Sequence, residues 1–320
     1  MKQKLIITFS ILLLFVVVAF MAIDLFKNKE SEKNPYDYNI GKLRQVDENL
    51  LCYTEISLIK PGFDSLHGLA IDNSDRVYVS GKNQIAIYKP DGSMEKTFPI
   101  QGTPLCLAID ENGDVYTGMT DHVEVFDNDG KLLSNWEILN EQVFITSIAL
   151  DESSVFVADA GNKIVYHYER DGIFRNEIGG KDPEKGIPGF IIPSAYFDLA
   201  IGREGQLWIV NPGRHALEAY TPGGDLISSW SKTSMQEDGF SGCCNPSHIA
   251  LLEDGKFVTS EKGIERVKII DQSGEFVCLV ASPTMIEEGT TGLDLAVDSH
   301  QRIFVLDPKR GVVRIFEKKN

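Results

Sequence analysis

The 320-residue sequence lacks the short motifs that mark the commonest enzyme and nucleotide sites. It has no G-x-S-x-G nucleophile elbow, no H-E-x-x-H, no P-loop and no G-x-G-x-x-G, so none of those chemistries can be assigned from a motif. An EF-hand loop is absent, as are the C-x-x-C spacing of metal sites and C-x-x-C-H, so neither a dedicated calcium loop nor covalent haem is indicated. Positive charge is scarce. Lys and Arg number 31 against 47 Asp and Glu, a net charge of −16. A surface of that sign repels phosphate, which argues against nucleic acid as a partner and reads as solubility. Cysteines number only five, an odd count that leaves at least one thiol free or paired between chains.

One long apolar run is present. After "MKQK", residues 5–23 read "LIITFSILLLFVVVAFMAI" without a charge. Nineteen such residues nearly span the hydrocarbon core of a bilayer as a helix. With Lys2 and Lys4 before it and poor small-residue spacing for cleavage, the run is expected to be a transmembrane signal anchor, with a cleaved signal peptide and a secreted protein as the alternative. Residues 1–4 are then a short tail and 24–48, charged and poor in apolar residues, a linker. The bulk of the chain is expected outside the cytoplasm, where disulfides can form.

From residue 49 to 320 the chain repeats itself. "HGLAID", "LCLAID", "TSIALD", "FDLAIG", "SHIALL" and "LDLAVD" share alanines at Ala70, Ala108, Ala149, Ala200, Ala250 and Ala296, spaced by 38, 41, 51, 50 and 46 residues. Each phrase leads through a turn to a second strand such as "DRVYVS" or "SSVFVAD", then a third such as "IAIYKPDG" or "VEVFDNDG". The "DG", "GG" and "SG" steps supply the positive φ of a tight turn into a fourth strand. Four short strands per repeat, six times, describe an all-β, six-bladed propeller. The last repeat has only three strands, and 51–60, "LLCYTEISLI", is expected to supply the fourth and close the ring.

The recurring "IA.D..G.VYVAD..N..I..Y...G", closest in "TSIALDESSVFVADAGNKIVYHYERDG", resembles the NHL-repeat propellers over nearly all of 50–317. The resemblance implies a six-bladed ring. It does not fix an activity, because members of that family serve as interaction platforms, sensors, hydrolases or lyases.

The repeat itself points to a site. Two residues before each shared alanine stand Gly68, Cys106, Ser147, Asp198, His248 and Asp294. Period-two alternation puts them on the face opposite the large apolar neighbours, at the start of each inner strand and so at one mouth of the central channel. The loops "GFIIPSAYFDLA" and "GFSGCCNPSHIA" have equal length, which places Cys243-Cys244 where Pro193-Ser194 stands one blade earlier. At the ends of second strands, Asp159, Asn211, Glu261 and Asp307 are equivalent, and Glu261 with Lys262 should return to the same mouth; a surface pair of Glu261 with Lys262 or Arg266 is the plainer alternative. His67 resembles a position from which some propeller enzymes recruit a metal or base. The expected ligand-binding set is therefore His67, Cys106, Asp198, Cys243, Cys244, His248, Glu261, Lys262 and Asp294.

Adjacent cysteines can close a disulfide only across a distorted peptide, because their Cα atoms lie closer than an ordinary bridge prefers. In an oxidising compartment a vicinal Cys243–Cys244 disulfide is expected; a Zn or Cu(I) site using both sulphurs and His248, or two free thiols, are the alternatives. Cys52 and Cys278 read as small buried hydrophobes, and His167 and His215 as surface hairpin residues. No cofactor is expected beyond that metal alternative. The functional expectation is a membrane-tethered binding or sensor module for a protein, peptide or carbohydrate on the channel face, with a metal-dependent hydrolase or lyase, or a cysteine-based redox or metal partner, as alternatives.

Overall fold

A computed structural model describes residues 40–137 and 141–319, together with Phe9, residues 12–19 and Met21. Residues 1–42 and 43–320 are separate compact units. Residues 12–19 of the first are helical; α1 spans Ile40–Leu43, at the boundary in sequence. Among the described residues no helix is long and apolar enough to cross a membrane. Residues 5–8, 10, 11, 20, 22 and 23 of the expected anchor at 5–23, and the linker from 24 to residue 39, lie outside the described residues.

The second unit is the propeller. The strand β1 (Tyr53–Ile59) precedes the first full repeat. Blade one is β2 (Leu69–Ile71), β3 (Val77–Gly81), β4 (Gln84–Tyr88) and β5 (Met94–Pro99). Blade two is β6 (Cys106–Ile109), β7 (Val115–Gly118), β8 (His122–Phe126) and β9 (Leu132–Glu137). Blade three is β10 (Ile145–Leu150), β11 (Ser154–Asp159), β12 (Ile164–Glu169) and β13 (Phe174–Ile178). Blade four is β14 (Leu199–Ile201), β15 (Leu207–Asn211), β16 (Ala216–Tyr220) and β17 (Leu226–Ser231). Blade five is β18 (His248–Leu251), β19 (Phe257–Glu261), β20 (Arg266–Ile270) and β21 (Phe276–Ala281). Blade six is β22 (Leu295–Val297), β23 (Ile303–Asp307) and β24 (Val312–Lys318), with β1 as its outermost strand.

Sequence chemistry explains the repeat. Second strands such as "VYVSG" and "VFVAD" are buried along their whole length, because both faces are covered by neighbouring blades. Outer strands such as β5 and β17 are mostly exposed, and there charged or hydroxyl residues intervene. The recurring Asp closes the first turn of a blade: Asp72 Oδ1 accepts from the N–H of Ser74 and Arg76, both at 2.9 Å, and Asp110 Oδ1 does the same for Asn112 and Asp114. In the "DNDG" turn Gly130 has φ 82°, and a Cβ there would lie 2.4 Å from Phe98 of the preceding blade, so both conformation and space demand glycine. The core is divided between blades. One cluster joins Tyr78, Ile85 and Phe98 of blade one to Leu107, Val115 and Phe126 of blade two, and another joins blades five and six.

The ring closes as the sequence suggests. The strand β1 runs antiparallel to β24, from Tyr53 opposite Lys318 to Ile59 opposite Val313. One expectation is corrected here. Cys52 and Cys278 are not free hydrophobes but a disulfide with Cα atoms 5.9 Å apart. Closure sets the start of β1 beside β21, where the Cys52 N–H donates to the Leu279 carbonyl at 3.0 Å, so residues 226 apart in sequence meet. His167 is corrected as well. It lies within β12, half-buried, stacked on Phe156 at 4.6 Å, with Nδ1 2.9 Å from Asn176 Oδ1.

Candidate functional site

The approach loops and the starts of inner strands surround one mouth of the channel. Between them lies a cavity of about 470 Å³ whose lining includes His67, Phe144, Thr146, Tyr196, His248 and Pro308. Both histidines of the expected set therefore share one cavity. Tyr196 stands edge-on to His248, ring centroids 5.6 Å apart. Burial pushes His67 below the ordinary imidazole value. His248 has a half-buried side chain set deep in the mouth; burial, and then the Lys262 ammonium, push it down to about 4. Both rings are neutral at pH 7, each with one donor and one acceptor.

Below them, Asp198 and Asp294 act as latches between blades. Asp198 Oδ1 accepts from its neighbour Leu199 N–H at 2.9 Å, and Oδ2 from Ile249 N–H of blade five at 2.7 Å. Asp294 repeats this, taking Leu295 N–H at 2.8 Å and Leu69 N–H of blade one at 2.8 Å. Burial pushes both carboxyls up, Asp198 to about 6 and, with the added repulsion of Asp198, Asp294 to about 8. Ser147 hydrogen-bonds Asp198. Cys106 is buried, and burial followed by the charges of Asp294 and Asp198 pushes its thiol well up, which makes it unreactive. Gly68 is the close approach in the ring: a Cβ there would lie 3.0 Å from the Cys106 Cα.

On the rim sits the cysteine loop. Cys243 is exposed and Cys244 buried; both are free thiols, with sulphurs 2.9 Å apart. The expected disulfide is thus a close pair rather than a bond. Lys262 donates to Ser194 Oγ at 2.8 Å and lies 4.6 Å from the centre of the Tyr196 ring. Burial raises the Cys244 thiol, but hydrogen bonds from Cys243 and Ser194 and the charge of Lys262 outweigh it and hold Cys244 below its ordinary value. The Cys243 thiol is raised by its hydrogen bond to Cys244 and by the charge there.

The loop is fastened from three sides. Asn245 donates to the carbonyls of Ser241 at 2.7 Å and Lys262 at 2.9 Å, and accepts from the Lys262 N–H at 2.9 Å. Glu261 Oε2 accepts from the Ser241 N–H at 3.0 Å. His215 Nε2 donates to the Gly242 carbonyl at 2.7 Å; since a carbonyl only accepts, Nε2 carries the hydrogen and Nδ1 accepts from Thr233 Oγ1 at 2.6 Å. Two expectations change accordingly. His215 is buried, not on the surface, because its left-handed backbone at φ 52° turns the ring under the next blade's loop. Glu261 is neither a ligand group nor a surface partner. It is fully buried, paired with Arg266 at 2.6 Å and Lys268 at 2.9 Å, both also fully buried.

Cys243, Cys244 and His248, the donors of the expected metal alternative, do not form a three-donor cluster of metal-like spacing among the described residues. Among the described residues the cluster with metal-like donor spacing is Asp75, Asp298 and His300, which lies on first-turn loops at the other end of the channel. Cys243 and Cys244 have an ammonium and a hydroxyl beside them instead of further ligands. Sequence reasoning missed Tyr196, Phe144 and Ser194. The matched loop lengths carried the signal for Ser194 and Tyr196: laid side by side, adjacent approach loops must touch, and Ser194 meets Cys244 across the blade boundary.

No family model matches the chain, and no curated protein matches it. Solved structures do. A streptogramin B lyase is similar with a TM-score of 0.58 at 11% identity, covering 83% of this chain and 98% of that one. Virginiamycin B lyase from Staphylococcus aureus gives 0.53 at 15% identity, covering 80% and 82%. The WD40 β-propeller domain of Doa1 gives 0.57 at 16% identity, covering 81% of each. At such identities the likeness shows the propeller fold and no more.

Proposed function

We propose that the chain is a propeller binding module whose ligand enters the channel mouth, the ligand being a peptide, a protein loop or a carbohydrate. One observation carries this reading: the cavity joins aromatic surface from Tyr196 and Phe144 to two neutral imidazoles, His67 and His248. Aromatic faces with a few neutral donors and acceptors suit an uncharged ligand of mixed polarity. In this reading the propeller is tethered outside the cytoplasm by residues 5–23. The uncharged run and the Cys52–Cys278 disulfide, which needs an oxidising compartment, both support that placement. An NHL-type kinship remains part of the proposal and rests on the repeat pattern.

The test is equilibrium binding of peptide and oligosaccharide panels to the full-length protein in detergent. Any ligand found should lose about 10-fold or more in affinity in Tyr196→Ala, from the loss of a buried aromatic contact. Binding unaffected by Tyr196→Ala, His67→Ala and His248→Ala alike would place the ligand elsewhere and end the proposal. Export is tested separately, by protease accessibility of the propeller in intact cells.

A further inference from the structure

The cysteine loop has a chemistry that the cavity does not use. Two sulphurs lie 2.9 Å apart on a loop held at Ser241 by buried Glu261, at Gly242 by buried His215 and at Asn245 by the Lys262 backbone. The two thiols are not equivalent. Cys243 faces solvent, whereas Cys244 is only 7% exposed and sits against Ser194 and Lys262. Lys262 is itself held, by Ser194 Oγ at 2.8 Å and by the Tyr196 ring. An ammonium fixed beside a buried sulphur stabilises a thiolate and repels a metal cation.

We propose that Cys243 and Cys244 form a thiol–disulfide exchange centre in which Cys243 exchanges with an external disulfide and Cys244 is the resolving thiolate. The steps balance. Cys243 passes its proton to the adjacent Cys244 thiolate, 2.9 Å away, as it attacks a disulfide R–S–S–R′; a Cys243–S–S–R bond forms, and the departing R′–S⁻ takes that proton from Cys244. The Cys244 thiolate then attacks the Cys243 sulphur, closes the Cys243–Cys244 bond and releases R–S⁻. The pair gives up two electrons, the external disulfide takes them, R′–S⁻ leaves with the Cys243 proton, and R–S⁻ leaves as a thiolate that takes its proton from solvent. The reverse sequence is equally open: an incoming thiolate attacks exposed Cys243, and Cys244 departs as the thiolate that Lys262 and Ser194 stabilise. A bridge between adjacent residues is easily reopened, which favours this reversal. The lowered Cys244 thiol agrees with its part as resolving and leaving group. Nothing here depends on what occupies the cavity.

The test uses the full-length protein in detergent, equilibrated with a low-molecular-weight thiol and its disulfide, then acid-quenched, alkylated and mapped by mass spectrometry. The wild type should lose two alkylatable thiols together, at 243 and 244, without added mass. Cys244→Ser should accumulate one adduct on Cys243, at least 10-fold above the wild type. Cys243→Ser should gain none, since its remaining rim thiol is buried. Lys262→Met should slow resolution, so that the adduct becomes visible transiently. Thermal melting identifies any variant that has lost its fold; the wild-type result and the Lys262→Met time course stand without the cysteine variants. An adduct on wild-type Cys243 as stable as in Cys244→Ser, or no reaction at either position in the folded wild type, would overturn the proposal.

Discussion

Blades four and five share a backbone and differ in what they bury. Their second and third strands superpose in sequence with a constant offset: Asn211 matches Glu261, Ala216 matches Arg266 and Glu218 matches Lys268. In blade four, Asn211 Nδ2 donates to Glu218 Oε1 at 2.9 Å, Tyr220 OH donates to Glu218 Oε2 at 2.7 Å, and Asn211 Oδ1 takes the Ile191 N–H at 2.9 Å. In blade five the acid has moved to the other strand. Glu261 holds the Ser241 N–H, while Arg266 donates to the Gln236 carbonyl at 2.7 Å and Lys268 lies 4.4 Å from the centre of the Phe240 ring. Both arrangements fasten the approach loop to the end of the second strand. The fold fixes the task of this position, an acceptor for a loop N–H, and leaves the sign of charge on the partner strand free.

The largest way to break that comparison is to remove its two acceptors. Glu261→Ala leaves Arg266 and Lys268 buried without their counter-ion and should destabilise the protein by about 3–5 kcal/mol. Asn211→Ala leaves buried hydrogen-bonding groups unpaired and should cost about 1–3 kcal/mol. Denaturant melts of both variants decide this, and equal losses would mean that the charge in blade five is incidental.

Next comes the seam. Cys52→Ser frees β1 from β21 while keeping its ladder to β24, and should cost about 2–4 kcal/mol, the usual worth of a disulfide that closes a long loop. The same substitution should cost nothing further under reducing conditions, and a reduced wild type that melts with the oxidised one would remove the disulfide from the account.

The residues at the inner-strand starts, Asp198 in blade four and His248 in blade five, sharpen the contrast through pH. Burial holds His248 at about 4, below its unfolded value of 6.5. Between those values the unfolded chain binds the proton and the folded one does not, so this group makes stability rise with pH across that window. Asp294 and Asp198 act oppositely. Their folded values, about 8 and about 6, lie above the unfolded 3.8, so the folded protein holds more protons and stability falls as pH climbs from about 4 towards 8. In denaturant melts across pH 4–8, Asp294→Asn should flatten the alkaline decline, and His248→Gln should flatten the acid one. A wild-type curve whose slopes neither variant changes would contradict these assignments.

The smallest effect is at the blade boundary. Tyr196→Leu removes the ring beneath Lys262 and should cost about 0.5–1 kcal/mol. A larger loss would mean that Tyr196 has a packing role in the mouth beyond the cation contact.

Much of this was legible before any coordinates. Six alanine-centred phrases and the "DG" turns are local signals, since a turn needs its own Asp and Gly, and a strand its own alternation. The inner-strand starts were legible for the same reason, and the structure brings Asp198, Asp294 and Cys106 to one channel with His67 and His248 above them. The partners were not legible. Cys278 reads as a small buried hydrophobe because it falls in a fourth strand, and nothing in that strand points to Cys52, 226 residues away. Glu261 read as a surface or ligand group because its burial depends on Phe240 and Gly239 folding back over Arg266 and Lys268.

The sequence by itself determined the repeat, the number of blades, the turns and which strand closes the ring, because each follows from the backbone preferences and alternation of short segments. Tertiary structure alone decided which distant side chains meet: Cys52 with Cys278, His215 with Gly242, and Lys262 with Ser194 and Tyr196 beside Cys244. The physical reason is that burial and pairing, which set the charge state and reactivity of a group, depend on ring closure and on contacts between neighbouring blades.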